Sequence, residues 1–503
     1  MLDPALLANA LAIVLDPWNL LVLVLGVIFG IVVGIIPGLS STMAVALLIP
    51  FTFAMQPEAA MSLLVAVFVG GISGGAVTAI LIRMPGTPAS VATTLDGFPM
   101  AQKGLAGQAI GHAAVASMIG TVISGFFLVV TAPMLAEFAL KFYFADYVAV
   151  CVFALTAVIA ISGDRLIRGV VTATVGLLAA TVGISAEDGL PRFDFGVPAM
   201  MSGVDLIPAL IGFFAVSQIM HEVAGPDRVK FDGDLRRSIG RVLPGLGEMR
   251  RNTFNYLRSA LIGTVVGVIP AVGGGPAGLI AYAQAKNSSK TPEKFGTGVP
   301  EGVIASETAN NATVGGALII ALTLGIPGDA VTAVLLGGLM IHGLQPGSLL
   351  FVNSPTVVYA IYFSVFFGSI VMAIVLLLSV RWLARVVEVP KRILMPVLFI
   401  LACSGVFALN NRAFDLLVMC AFGFLGYVFD RFRYPLPPFV LGLLLGPLIE
   451  GNFRKMVGAD GNAWGLFTRP LAVTFLLLAV GSVVYSLVIR RRQPRDPKEE
   501  APG

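Results

Sequence analysis

The strongest constraint on the fold of this chain is a stretch that occurs twice. Gly30-Ile31-Val32-Val33-Gly34-Ile35-Ile36-Pro37-Gly38-Leu39-Ser40-Ser41 matches Gly263-Thr264-Val265-Val266-Gly267-Val268-Ile269-Pro270-Ala271-Val272-Gly273-Gly274. Each copy is followed by a Pro-Glu pair, at Pro57-Glu58 and Pro300-Glu301, and then by Pro85-Gly86 or Pro327-Gly328. The offsets are 270 − 37 = 233, 300 − 57 = 243 and 327 − 85 = 242, and chance rarely keeps three landmarks in step over that distance. A duplicated unit whose apolar helices are interrupted by Gly and Pro points to transporter architecture, with a site between the repeats.

Composition says which solvent those helices meet. Of 503 residues, 57% are hydrophobic and 12% charged, and the mean hydropathy is +0.92. A soluble domain carries roughly 25% charged residues, so the chain reads as an integral membrane protein. Its 57 Gly and 31 Pro suit membrane helices better than soluble ones. The net charge of +4 is concentrated in loops and speaks of topology, not of nucleic acid. Cys151, Cys403 and Cys420 are too scattered for a disulfide framework or a metal site. Residues 1–20 contain no Lys or Arg and carry Asp3 and Asp16, unlike a signal peptide, so the first apolar run is expected to stay as a helix.

At about 20 residues per crossing, the apolar runs allow about 11 to 14 membrane segments. The expected fold class is an all-α polytopic membrane protein of about 12 transmembrane segments, with two inverted-topology repeats containing broken helices or hairpins. The expected divisions are an N-terminal repeat half (1–225), a basic linker (226–258), a C-terminal repeat half (259–490) and a tail (491–503). The linker carries Arg228, Lys230, Arg236, Arg237, Arg241, Arg250, Arg251 and Arg258, and the tail Arg490-Arg491-Arg492, Arg495 and Lys498. The positive-inside rule places both in the cytoplasm, with Arg165, Arg168, Arg381, Arg385, Lys391 and Arg392 as further cytoplasmic flanks. Copy one follows a segment without basic residues and copy two the most basic loop, so the copies should cross in opposite directions.

The motifs carry the chemistry. Gly30-x-x-x-Gly34 and Gly263-x-x-x-Gly267 are faces that let helices approach closely. Pro37-Gly38 and Pro270-Ala271 interrupt the helices, after which Ser40, Ser41 and Thr42, or Gly273, Gly274 and Gly275, offer hydroxyls or bare backbone N–H groups. A helix restarting at membrane depth aims unpaired N–H groups and a partial positive charge at whatever lies there, and a carboxylate is a natural partner. At the second breaks, Gly86-Thr87 and Gly328-Asp329, the copies differ by one charge. Thr87 is assigned to the substrate side and Asp329 to a coupling cation, beside the plainer role of helix cap. Glu307, Asn310 and Asn311 stand at i, i+3 and i+4, one helical face, followed by Thr313. Their oxygens suit Na⁺, or a Glu that carries H⁺, whereas copy one has Leu64 in place of Glu307. Arg83 and Lys103 read as snorkelling to the interface. His112, His221 and His342 form no metal or catalytic motif.

At these residues the chain resembles the large permease subunit of the tripartite tricarboxylate transporters, the TctA family. The resemblance is carried by Gly34-Ile35-Ile36-Pro37-Gly38-Leu39, Gly70-Gly71-Ile72-Ser73-Gly74-Gly75, Met84-Pro85-Gly86-Thr87-Pro88 with Asp96-Gly97, Glu307-Thr308-Ala309-Asn310-Asn311 and Gly325-Ile326-Pro327-Gly328-Asp329. It implies a bacterial inner-membrane permease of about 12 helices that takes up di- or tricarboxylates on an ion gradient, with no cofactor and Na⁺ or H⁺ as coupling ion. It also implies two partners, a small TctB-like membrane subunit and a periplasmic TctC-like binding protein. A competing reading, an intramembrane aspartyl protease, needs a second aspartate beside Asp329, and Asp146 is the one residue near a helix to supply it. A carboxylate channel is the third reading.

Overall fold

The computed structural model describes residues 4–161, 166–185, 188–225, 240–270, 272–386 and 389–492. Residues 226–239 of the expected linker, with Arg228, Lys230, Arg236 and Arg237, lie outside the described residues, as do Arg165, Ala271 and the tail beyond 492. Two compact units are present, one of Met1–Lys141 with Asp205–Val428, the other of Phe142–Val204 with Phe429–Gly503.

Ten helices of the first unit contain both copies of the repeat. In copy one they are α1 (Pro17–Ile35), α2 (Ser41–Thr52), α3 (Pro57–Ile82), α4 (Thr94–Gln102) and α5 (Ala106–Ala139). Copy two supplies α6 (Thr253–Val268), α7 (Gly274–Asn287), α8 (Pro300–Leu324), α9 (Ala330–Ile341) and α10 (Pro355–Val386). Local chemistry sets their ends. Asp16 accepts from the N–H groups of Trp18 and Asn19 and starts α1 with Pro17 in the first turn. Pro57 and Pro300 open α3 and α8 in the same way, where a missing N–H costs nothing. Both of those helices end on a left-handed residue, Arg83 (φ 56) in copy one and Gly325 (φ 71) in copy two. Gly adopts that conformation without strain and Arg does not, so the turn itself is common to both copies and the residue is not.

The breaks are built alike. After α1, Ile36 N–H bonds to Val33 O and Leu39 N–H to Ile36 O; after α6, Ile269 N–H bonds to Val266 O and Val272 N–H to Ile269 O. The small-residue faces also act alike: a side chain at Gly30 would strike the carbonyl of Val67, and one at Gly263 the carbonyl of Ala309. Since 309 − 67 = 242, the packing repeats at the offset of the second break. Backbone-to-backbone contact of this kind holds membrane helices together where the hydrophobic effect between them is absent.

Packing between the copies is reciprocal. α5 of copy one lies on α8, and α10 of copy two lies on α3; the turn Pro88–Ser90 meets α7, and α9 meets α2. The core of this unit is the pair α3 and α8, whose residues are buried almost end to end.

Among the described residues, eight helices are long and apolar enough to cross a membrane, and α2 and α9 are among the shorter apolar ones. α8 is not one of the eight, because Glu307, Asn310 and Asn311 lower its hydropathy although it is 25 residues long. The chain is nearly all-α: the strictly helical expectation is corrected by a short antiparallel pair, Gly183–Ile184 with Pro191–Arg192. That pair belongs to the second unit, with helices Phe144–Ile161, Leu166–Ala180, Pro437–Asp460 and Pro470–Arg492. There Arg192 pairs with Glu450 (2.6 Å) and Arg454 with Asp188 (2.7 Å).

Candidate functional site

The polar face expected on α8 is divided between two environments. Glu307 and Asn311 point together into a knot of side chains drawn from both copies. Thr93 donates to Glu307 Oε1; Ser117 Oγ (3.4 Å) and Asn311 Nδ2 (3.3 Å) donate to Oε2. Asn311 Nδ2 also reaches Ser117 Oγ at 2.8 Å, and Ser73 Oγ donates to Asn311 Oδ1 at 2.7 Å. Ser73 comes from α3, Thr93 from the turn before α4, and Ser117 from α5, so three elements of copy one close on one of copy two. All of these residues are buried. Among the described residues the Glu307 partners are hydroxyls and amides, with no Lys, Arg or His opposite the carboxylate. A buried carboxylate without a basic partner needs a proton or a cation to neutralise it.

Asn310 lies between this knot and a second element, its amide also within reach of the Glu307 carboxylate. Its side chain is directed at the start of α7, where its Oδ1 occupies the space that a side chain on Gly274 would fill. Thr313 turns back on its own helix and donates to Asn310 O at 2.6 Å.

Ser40 caps α2 by accepting from Met43 N–H at 3.1 Å, and Ser41 and Thr42 are buried in the first turn behind it. Pro37 is buried, and Gly38 holds φ +89 with the Glu222 carboxylate against its Cα. Glu222 in turn takes the ammonium of Lys391. At the matching place in copy two, Gly273 (φ 67) precedes α7 with no side chain to cap it, and Gly274 and Gly275 form its first turn. Gly86 N–H donates to Gly75 O at 3.3 Å, and Thr87 Oγ1 stands 3.4 Å from Ser90 Oγ. Asp329 caps α9: its Oδ1 takes Thr332 N–H and the Thr332 hydroxyl, both at 2.7 Å. The break regions meet across the copies, since side chains on Gly274 and Gly275 would lie 3.1 Å from Ala89 Cβ and Pro88 O; within copy two, one on Gly273 would lie 3.8 Å from Asp329 Cβ.

Sequence reasoning missed Ser117 and Thr93, which carry no motif and reach Glu307 only through folding. Ser73 and Asp96 lie in runs that carried the resemblance, yet had no role assigned. Asp96 accepts N–H bonds at Oδ1 from Gly296 (3.0 Å), Gly298 (2.7 Å) and Val299 (3.0 Å), and its Oδ2 takes the Tyr282 hydroxyl (2.9 Å). This buried carboxylate ties α4 to the loop between α7 and α8.

Asp146, the aspartate weighed as a protease partner, accepts from Arg469 at 3.0 Å and from Tyr143 N–H at 2.9 Å. Asp329 serves as a helix cap and Asp146 is paired with Arg469, so each of the two is engaged in a structural contact.

Comparison with known proteins agrees with this architecture. Residues 20–441 match the family model described as "Tripartite tricarboxylate transporter TctA family". An Agrobacterium vitis protein described as an uncharacterized 52.8 kDa protein in the TAR-I ttuC' 3' region is 33% identical over 486 residues, 96% of each chain. A second A. vitis protein, uncharacterized and from the TAR-II ttuC' 3' region, is 34% identical over 235 residues, 46% of this chain and 97% of its own length. No solved structure matches.

Proposed function

Because the chain belongs to the tripartite tricarboxylate transporter TctA family, we propose that it is the large membrane subunit of a carrier that takes up di- or tricarboxylates across the bacterial inner membrane. A small TctB-like membrane subunit and a periplasmic TctC-like binding protein are its partners in this reading, and a gradient of Na⁺ or H⁺ drives it. The carboxylate is assigned to the helix breaks at Pro37, Gly38, Ser40, Ser41, Thr42, Gly86 and Thr87 in copy one and Gly273, Gly274 and Gly275 in copy two. The coupling cation is assigned to Glu307 and Asn311, with Asp329 as a helix cap whose carboxylate stays near the breaks.

The observation that carries the reading is the Glu307 knot: a buried acid without a basic partner among the described residues, held by hydroxyls of the opposite copy, on the helix whose Asn310 meets the start of α7. A proton or Na⁺ bound there fixes Thr93 and Ser73 against α8. Its release leaves a carboxylate that favours a different packing of the two copies, which is the link an ion-driven carrier needs. The reciprocal packing of α5 on α8 and α10 on α3 fits a two-fold relation between the copies; in this reading the repeats are inverted, with about 12 crossings and a cytoplasmic linker and tail. Proteoliposomes containing the chain and its two partners should accumulate labelled citrate or succinate when a Na⁺ or H⁺ gradient is imposed. Equal accumulation without either gradient would refute ion coupling, and flux that equilibrates but never concentrates would favour a channel.

A further inference from the structure

Asn310 is wholly buried, and among the described residues neither Oδ1 nor Nδ2 has a partner in hydrogen-bond geometry, although the amide lies close to the Glu307 carboxylate. An amide in that condition is normally paired or absent. Opposite it is the start of a 14-residue helix with no side-chain cap. Pro276 in that first turn has no N–H, so the donors are the amides of Gly274 and Gly275. On the far side of these glycines are Pro88 and Ala89 of copy one.

We propose that the Asn310 amide and the N–H groups of Gly274 and Gly275 form a carboxylate-binding subsite, so that Asn310 is a substrate contact placed directly beside the Glu307 cation site. The proposal rests on the transporter reading and deepens it. Three features select an anion. The helix end supplies donors and a partial positive charge. The amide NH₂ adds a third donor once the side chain rotates. Asp329, the carboxylate nearest Gly273, is already committed to Thr332 and offers a cation little.

The copies are unequal here. Ser40 caps its own helix in copy one, whereas Gly273 leaves α7 open. Asn310 corresponds to Phe68 at the packing offset of 242, and to Val67 at the offset that pairs Glu307 with Leu64; both are buried and apolar. One carboxylate of the substrate is therefore bound by copy two alone, between α7 and the Pro88-Ala89 turn.

The full chain in lipid nanodiscs, titrated with citrate and with succinate at constant ionic strength, tests this by thermal unfolding. Wild type is stabilised saturably. Asn310→Leu melts no lower than wild type without ligand, since it removes an unpaired buried amide, and its half-saturating citrate concentration rises roughly tenfold to hundredfold. Asn310→Asp, which repels a carboxylate, loses the response. Gly274→Ala, which displaces the amide while sparing its chemistry, weakens it in the same direction and serves if Asn310→Leu does not fold. Citrate response within twofold of wild type in both Asn310 variants overturns the subsite and leaves the transporter reading standing. A citrate response in Asn310→Asp like that of wild type, with a new stabilisation by Na⁺, overturns it in favour of a cation site. A wild type that answers to neither carboxylate overturns both readings.

Discussion

Removing the Asp96 carboxylate should release the loop between α7 and α8. In Asp96→Ala the N–H groups of Gly296, Gly298 and Val299 and the Tyr282 hydroxyl all lose their acceptor. An orphaned buried donor costs about 1–3 kcal/mol. Four at the low end give about 4 kcal/mol, and the low end is appropriate because loop residues 296 and 297 are exposed and water can reach them. Asp96→Asn keeps Oδ1 for the three amides and gives up one charge-assisted bond, so about 2 kcal/mol is expected. Hydrogen exchange on a peptide covering residues 290–302 reads the difference directly. Each 1.4 kcal/mol is a factor of ten, so exchange should accelerate by about a thousandfold in Asp96→Ala and about thirtyfold in Asp96→Asn if the loop opens as a unit. Tyr282→Phe should fall near the Asn variant. Exchange in Asp96→Ala within threefold of wild type, or an Asn variant as fast as the Ala variant, would show that the three amides are not what hold this loop.

Three further outcomes follow from the geometry. Glu307→Gln should fold and still exchange labelled for unlabelled citrate across proteoliposome membranes, but lose accumulation driven by an ion gradient; unchanged accumulation would remove Glu307 from coupling. Asp329→Ala should cost about 0.5–2 kcal/mol through the lost cap on α9, seen as a lower melting temperature, whereas Asp329→Asn should stay close to wild type in stability and uptake. If the Asn variant abolishes uptake, the carboxylate has a role beyond capping. Gly30→Val and Gly263→Val should each reduce the yield of monodisperse protein, because the new side chain meets the Val67 or Ala309 carbonyl and overpacking costs about 1–3 kcal/mol or more; two well-folded variants would contradict the close approach.

Much of this protein was legible in its residues. Repetition at nearly constant offset located both helix breaks, both small-residue faces and both second breaks, because such features are local: Pro removes a donor, and Gly lets a carbonyl approach where a side chain would stand. Composition fixed the membrane setting. The spacing of Glu307, Asn310 and Asn311 rightly put them on one helix, but helical spacing alone does not say what each neighbour is. Tertiary packing turned Glu307 and Asn311 toward Ser73, Thr93 and Ser117, and set Asn310 between Glu307 and Gly274. Adjacent residues on a helix differ by about 100° in direction, so two helices packed on either side of α8 are enough to give neighbours different surroundings. The Asp96 clasp, 200 residues from its partner Gly296, and the Glu222 carboxylate at Gly38 depend wholly on long-range packing. The sequence by itself determined where the helices break, and only the tertiary structure decided which side chains meet at the breaks, because breaking is a property of the local backbone and meeting is a property of the assembled fold.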